Sequence, residues 1–250
     1  MTKLWSGVAG AALVAVVLST GPGEARAQAG EDYLLKQPRV TLGLRAGYAV
    51  PRAESDIFTF TREQLTVEED DFNAPSVGLE LAFRLDERLD LALGVDYARS
   101  ETTSEFREFV GTDDLPIVQT TVFDRTAITA GVRAYLKERG RSVGRFAWIP
   151  GSWSPFVGAG AGWMNYTFEQ DGEFVDFETL DIFQDRFRSS GWTPTLHALA
   201  GVDVSLSPRF VLKTEGRYSW GSMDLAGDFV GFDEIDLSGF QVSLGVSARF

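Results

Sequence analysis

Cysteine is absent from this chain of 250 residues, and histidine occurs once, at His197. The first absence excludes disulfides, thiolate nucleophiles and cysteine metal sites, and a lone histidine leaves no ordinary zinc ligand set. No resident metal and no cofactor is therefore expected. Basic charge is scarce as well, with 23 Lys and Arg against 36 Asp and Glu and a formal net charge of −13. A nucleic-acid partner needs a basic footprint, so none is expected. Long apolar runs are missing beyond the first thirty residues, where no stretch approaches the roughly 18 consecutive apolar residues of a transmembrane helix.

What stands at the start has the layout of an export signal. Lys3 supplies a positive charge, Gly7 to Leu18 an apolar stretch too short to cross a bilayer, and Ala25 to Ala27 the small residues of a cleavage site, with Ala29 as the alternative. The expectation is a cleaved signal peptide over 1–27, a short periplasmic N-terminal segment over 28–37 and one domain over 38–250.

Within that domain helical spacing is almost absent and alternation of period two recurs. Apolar residues take every second position in VTLGLRAGYAV from Val40, SVGLELAFRL from Ser76, LDLALGVDYA from Leu89, AITAGVRAYL from Ala127 and PFVGAGAGWMNY from Pro155. The same holds for TLHALAGVDVSL from Thr195, FVLKTEGRYSW from Phe210 and GFQVSLGVSARF from Gly239. Connections are long after the first, third, fifth and seventh of these and tight after the second and sixth. The expected fold is all-β, an eight-stranded antiparallel up-and-down transmembrane β-barrel. Lys137 to Ser154 is the exception, a long basic connection at the end where turns should be short.

Polarity says which face meets lipid. The non-apolar positions are dominated by glycine and single charges, as at Gly43, Gly78, Gly94, Gly131, Gly160 and Gly201. Glycine weakens a strand and is useful where something approaches closely, such as long side chains in a narrow lumen. The charges on this face nearly balance: Arg45, Arg84, Arg133, Lys213, Arg217 and Arg249 against Glu80, Asp90, Asp96, Asp203 and Glu215. Buried charges demand partners, so an ion-paired network filling the lumen is expected. Tyr48, Tyr97, Trp163, Tyr166, Trp192, Tyr218 and Trp220 lie toward the long-loop ends and are expected to form an aromatic girdle.

With these features the chain resembles the small outer-membrane barrels of Gram-negative bacteria, the OmpA, OmpX and OmpW group. The resemblance rests on the signal peptide, the eight alternating strands, PFVGAGAGW and a strand ending in Phe250. It implies the bacterial outer membrane, lipid and lipopolysaccharide as surroundings, a monomer, and the barrel assembly machinery as a partner. That machinery would read Val242, Leu244, Val246, Ala248 and Phe250 as its signal.

The loops concentrate the acidity. Glu68, Glu69, Asp70 and Asp71 form a possible surface site for divalent cations, though without the spacing of an EF-hand. In the basic connection, arginines and tryptophans such as Trp148 and Trp153 could meet the inner leaflet. His197 has no nearby serine in sequence, and no nucleophile, base and orienter assemble by spacing, so an enzyme is not expected. The leading expectation is a non-enzymatic outer-membrane protein that anchors acidic loops for envelope integrity or surface interaction. The alternative is an OmpW-like conduit for small hydrophobic molecules, which the polar residues Asp96, Arg217 and Ser219 near the loop end disfavour, or a narrow gated pore in which the charge network opens and closes.

Overall fold

A computed structural model describes residues 33–111, 114–144 and 147–250. The expected signal peptide and the first part of the expected periplasmic segment lie outside these residues, as do Asp113, Arg145 and Phe146. Eight long strands carry the fold: β1 (Val40–Pro51), β2 (Ala74–Arg84), β3 (Leu89–Val110), β4 (Pro116–Tyr135), β5 (Trp153–Val175), β6 (Ile182–Ser205), β7 (Phe210–Trp220) and β8 (Gly239–Arg249). Each pairs antiparallel with its sequence neighbours, and β1 pairs with β8, so the sheet closes into a barrel. Closure is in register along the strands, from Thr41 opposite Arg249 to Pro51 opposite Gly239. It satisfies both edges, which a sheet exposed to lipid requires.

The strands fall into two lengths. β1, β2, β7 and β8 have 12, 11, 11 and 11 residues, about what a tilted strand needs to cross a bilayer. β3 to β6 have 22, 20, 23 and 24 and stand up beyond their neighbours as a four-stranded sheet. Two of the long loops expected from the sequence are therefore mostly strand. Pairing of β5 with β6 continues to Val175 opposite Ile182. The alternation is hard to see in this stretch because the inward positions carry Ser100, Ser104, Gln119 and Thr121 rather than glycine or charge, all of them buried.

The first loop is also more structured than expected. It contains a helix, α1 (Asp56–Gln64), followed by a 3-10 turn at Glu69–Phe72. Ile57, Phe58 and Thr61 are its buried face, too short a run for a 3.6-residue period to stand out in sequence. The helix folds over the barrel mouth, where Ile57, Phe58, Leu65, Phe72, Phe123 and Phe168 belong to one apolar core with Leu225, Phe229, Ile235 and Leu237 of the last loop. At the opposite end, Gly140–Val143 and Ala147–Pro150 pair as a hairpin, and Leu34 bridges to Trp148.

Candidate functional site

Alternation along each strand sorts side chains into two environments. Leu44 is 58 % exposed and Leu196 62 % on the outer surface, with Val77, Val95, Ile128 and Leu244 exposed in the same band. The intervening residues turn into the lumen and are buried, Arg133 down to 1 %. Apolar outside and charged inside is the reverse of a soluble barrel.

The lumen centres on Glu80. Its carboxylate accepts from Arg133 Nη1 at 3.0 Å and Nη2 at 2.7 Å, from Arg45 Nη1 at 3.0 Å, and from Lys213 Nζ. Arg45 also donates to Asp96 through Nε at 2.7 Å, and Arg217 bridges Asp96 at 3.1 Å to Glu215 at 2.8 Å. Arg133 reaches Glu215 at 3.0 Å, closing the circuit. Three carboxylates and four cations thus share one buried, charge-assisted network, in which each carboxylate meets at least two cations. Glycines make room for it: a Cβ at Gly94 would lie 2.9 Å from Arg45 Nη2, and one at Gly160 2.7 Å from His197 Cε1. The lumen cavities flanking the network measure about 10 Å³ each, room for one water at most.

The chain is an eight-stranded transmembrane β-barrel.

No family model matches the sequence of this barrel, and no curated protein matches it. Among solved structures it is similar to Neisserial surface protein A, with 14% identity over 84% of this chain and 97% of the other and a TM-score of 0.47. It is also similar to the outer membrane protein OprG from Pseudomonas aeruginosa (11% identity, 87% and 99% covered, TM-score 0.48) and to the attachment invasion locus protein Ail of Yersinia pestis (15%, 86% and 100%, 0.42). Likenesses this low say nothing of activity or partner; the architecture rests on the closed ring of strands itself.

Not every charge read from the sequence joins the central network. Arg84, Asp90, Asp203 and Arg249 lie at the hairpin end and form a second layer. There Asp90 pairs with Arg139 at 2.7 Å, and Asp203 accepts from the Tyr135 hydroxyl at 2.9 Å. Arg249 donates to Ser205 Oγ at 3.0 Å, and its guanidinium and that of Arg84 lie 5.3 and 5.8 Å from the Trp148 ring. Trp148, which could have met the lipid headgroups, is instead 1 % exposed beneath the barrel, because the hairpin that carries it folds inward. Trp153 does face outward, with Lys137 Nζ 3.9 Å from its ring centroid.

Of the aromatic girdle, Tyr48, Tyr97, Trp163, Trp192 and Trp220 are exposed on the outer surface. Tyr218 is half-buried with its ring 4.9 Å from that of Trp220. Tyr166 is a correction: it shares the parity of Met164 and Phe168, points inward, and is wholly buried with its hydroxyl 2.7 Å from Ser189 Oγ. Val242, Leu244, Val246 and Phe250 face outward, Ala248 is half-buried, and the Phe250 N–H donates to Val40 O at 2.8 Å.

The acidic run is a second correction. Asp71 accepts the backbone N–H of Glu68 in a capping box, Asp70 accepts from Asn73, and Glu69 pairs with Arg62. These carboxylates stabilise a turn rather than converge, and among the described residues no three acidic or histidine groups are placed to hold a metal. His197 is buried over Gly131 and Gly160, and its Nδ1 has no hydrogen-bond partner.

Three features escaped the sequence reading. Arg139 was masked by its irregular loop. Arg125 lies in a part of β4 not read as strand; it is buried against the Phe123 ring at 5.0 Å, with no hydrogen bond at Nε or Nη2. The third is the apolar cap above Asp96 and Arg217. Its residues come from two loops and the strand extensions, so no periodicity announces it.

Proposed function

We propose that the chain is a non-enzymatic outer-membrane protein that forms no channel and acts at the cell surface, anchoring an acidic, apolar-cored cap for envelope integrity or surface interaction. The observation that carries this reading is the triple filling of the lumen, with the apolar cap above, the Glu80 network in the middle and the Trp148 layer below. Fixed ion pairs exclude a wide water path, and an eight-stranded barrel has no spare width. Lipid and lipopolysaccharide surround the apolar band, and the barrel assembly machinery recognises the strand that ends in Phe250. The purified protein in planar bilayers should show no steady conductance, and it should migrate faster unheated than heated on a denaturing gel. A large, steady current would overturn the closed reading, and recovery as a freely soluble protein would overturn the membrane assignment.

A conduit for small hydrophobic molecules is the second reading, favoured by an apolar cavity in the cap. Leu65 and Phe229, which line that cavity, belong to the same apolar core as Phe58, Phe123 and Phe168, and the charged Glu80 network fills the lumen. Passage would require the cap to unfold and the Glu80 network to part.

A further inference from the structure

The cap holds a cavity of about 280 Å³, walled by phenylalanines that include Phe60, Phe106, Phe174, Phe183, Phe187 and Phe232. A dry cavity of about 150 Å³ suffices for benzene, so this one takes a substituted aromatic ring or an alkyl chain of similar bulk. The rings already support one another, with Phe174 and Phe187 edge to face at 4.5 Å and Phe60 and Phe232 at 5.4 Å. Such walls are preformed and need little reordering to receive a guest.

The polar side chains that line the cavity are Thr61, Gln64, Gln119, Gln170 and Asp228. Gln119 spends an amide N–H on Glu173 O at 2.8 Å, and Gln170 spends one on Thr61 Oγ1 at 3.3 Å. The Thr61 hydroxyl itself donates to Ile57 O. Each of these two glutamines then offers a guest its carbonyl oxygen and its second amide N–H. Asp228 is the one charged residue among those that line the cavity. No Lys, Arg or His is among them, and Arg62, Arg107, Arg186 and Arg188 each lie within 4.0 Å of a carboxylate. The segment 221–238, which closes one side, carries five Asp or Glu and no basic residue.

We propose that this cavity is a binding site for a small apolar or aromatic molecule bearing a positive charge, such as an arylalkylamine. The hydrocarbon part fills the phenylalanine walls, and the ammonium is held by Asp228, the glutamine carbonyls and the faces of the rings, which attract cations. An anion of the same shape meets no cationic side chain in the lining and faces the Asp228 carboxylate. The site rests on the reading that the cap faces the medium, and it gives the proposed surface interaction a ligand class.

The test compares two probes of the same ring and chain, 2-phenylethylamine and 3-phenylpropanoate, titrated calorimetrically into the full-length protein in uncharged detergent. The amine should bind saturably and at least about tenfold more tightly, with the difference shrinking as salt rises. Asp228→Asn, which keeps an acceptor for the Arg188 N–H, should narrow the gap. Gln64→Trp, which fills the cavity from α1, should abolish amine binding. Folding of each variant is checked by heat-modifiable migration, and the two-probe comparison on the unmodified protein needs no variant. Equal or tighter binding of the carboxylate, no saturable binding of the amine, or unchanged binding in folded Gln64→Trp overturns the proposal. A conducting barrel would sink the closed-channel reading while leaving the amine result intact.

Discussion

Glu80 shows what one side chain does in a tightly filled lumen. Its two oxygens face Arg45, Arg133 and Lys213, and its burial is sustained because all three cations are held within the same network. Glu80→Ala should destabilise the barrel by about 3–5 kcal/mol, since cations lose their shared partner in a site that water does not reach. Urea unfolding in micelles, followed by gel migration, reads this directly, and Glu80→Gln should fall between the two. Gly160 is the complementary case. A methyl group there would collide with the Ala130 carbonyl and lie 2.6 Å from Gly131 Cα and 2.7 Å from His197 Cε1. Gly160→Ala should cost roughly 1–3 kcal/mol, measured the same way. Both residues were legible in sequence, Gly160 as part of the glycine run and Glu80 as a charge alternating with leucines. Their partners were legible only as a set, because which arginine meets which carboxylate depends on strand tilt and stagger.

At the scale of elements, barrel strands and cap are held by different forces. Within the barrel each strand is laddered to two neighbours, whereas α1 is held chiefly by Phe58, whose ring packs against those of Phe72, Phe123 and Phe168 at 4.8, 5.3 and 5.7 Å. Phe58→Ala should remove about 3–5 kcal/mol from the docking of the helix and leave barrel migration unchanged. Hydrogen exchange would show α1 amides losing protection while those of β1 and β8 keep theirs. The helix was missed from sequence because nine residues give only two turns, and their apolar content reads equally well as a loop. The upper halves of β3 to β6 were missed for a related reason: above the membrane the outer face meets water, so the lipid-facing alternation fades although the ladder continues.

For the whole molecule the consequence is redundancy in closure. Replacing residues 53–65 with a flexible linker should expose the apolar cap core and raise protease sensitivity, yet leave planar-bilayer conductance near zero because the Glu80 network still fills the lumen. A current appearing on cap removal alone would assign the seal to the cap. The sequence by itself determined the barrel, since period-two alternation in eight segments fixes which face meets lipid, and each register slip would turn a charge outward. It pointed to an ion-paired lumen too, through near-balanced charge on the glycine-rich face. Only the tertiary structure decided that the charges divide into a central network and a separate Trp148 layer, that Tyr166 belongs to the core, and that the acidic run caps a turn. It alone revealed the phenylalanine-walled cavity. The physical reason is locality: alternation is a property of neighbours along one strand, whereas a cavity or an ion pair is made by side chains from distant segments that only the closed sheet brings within reach.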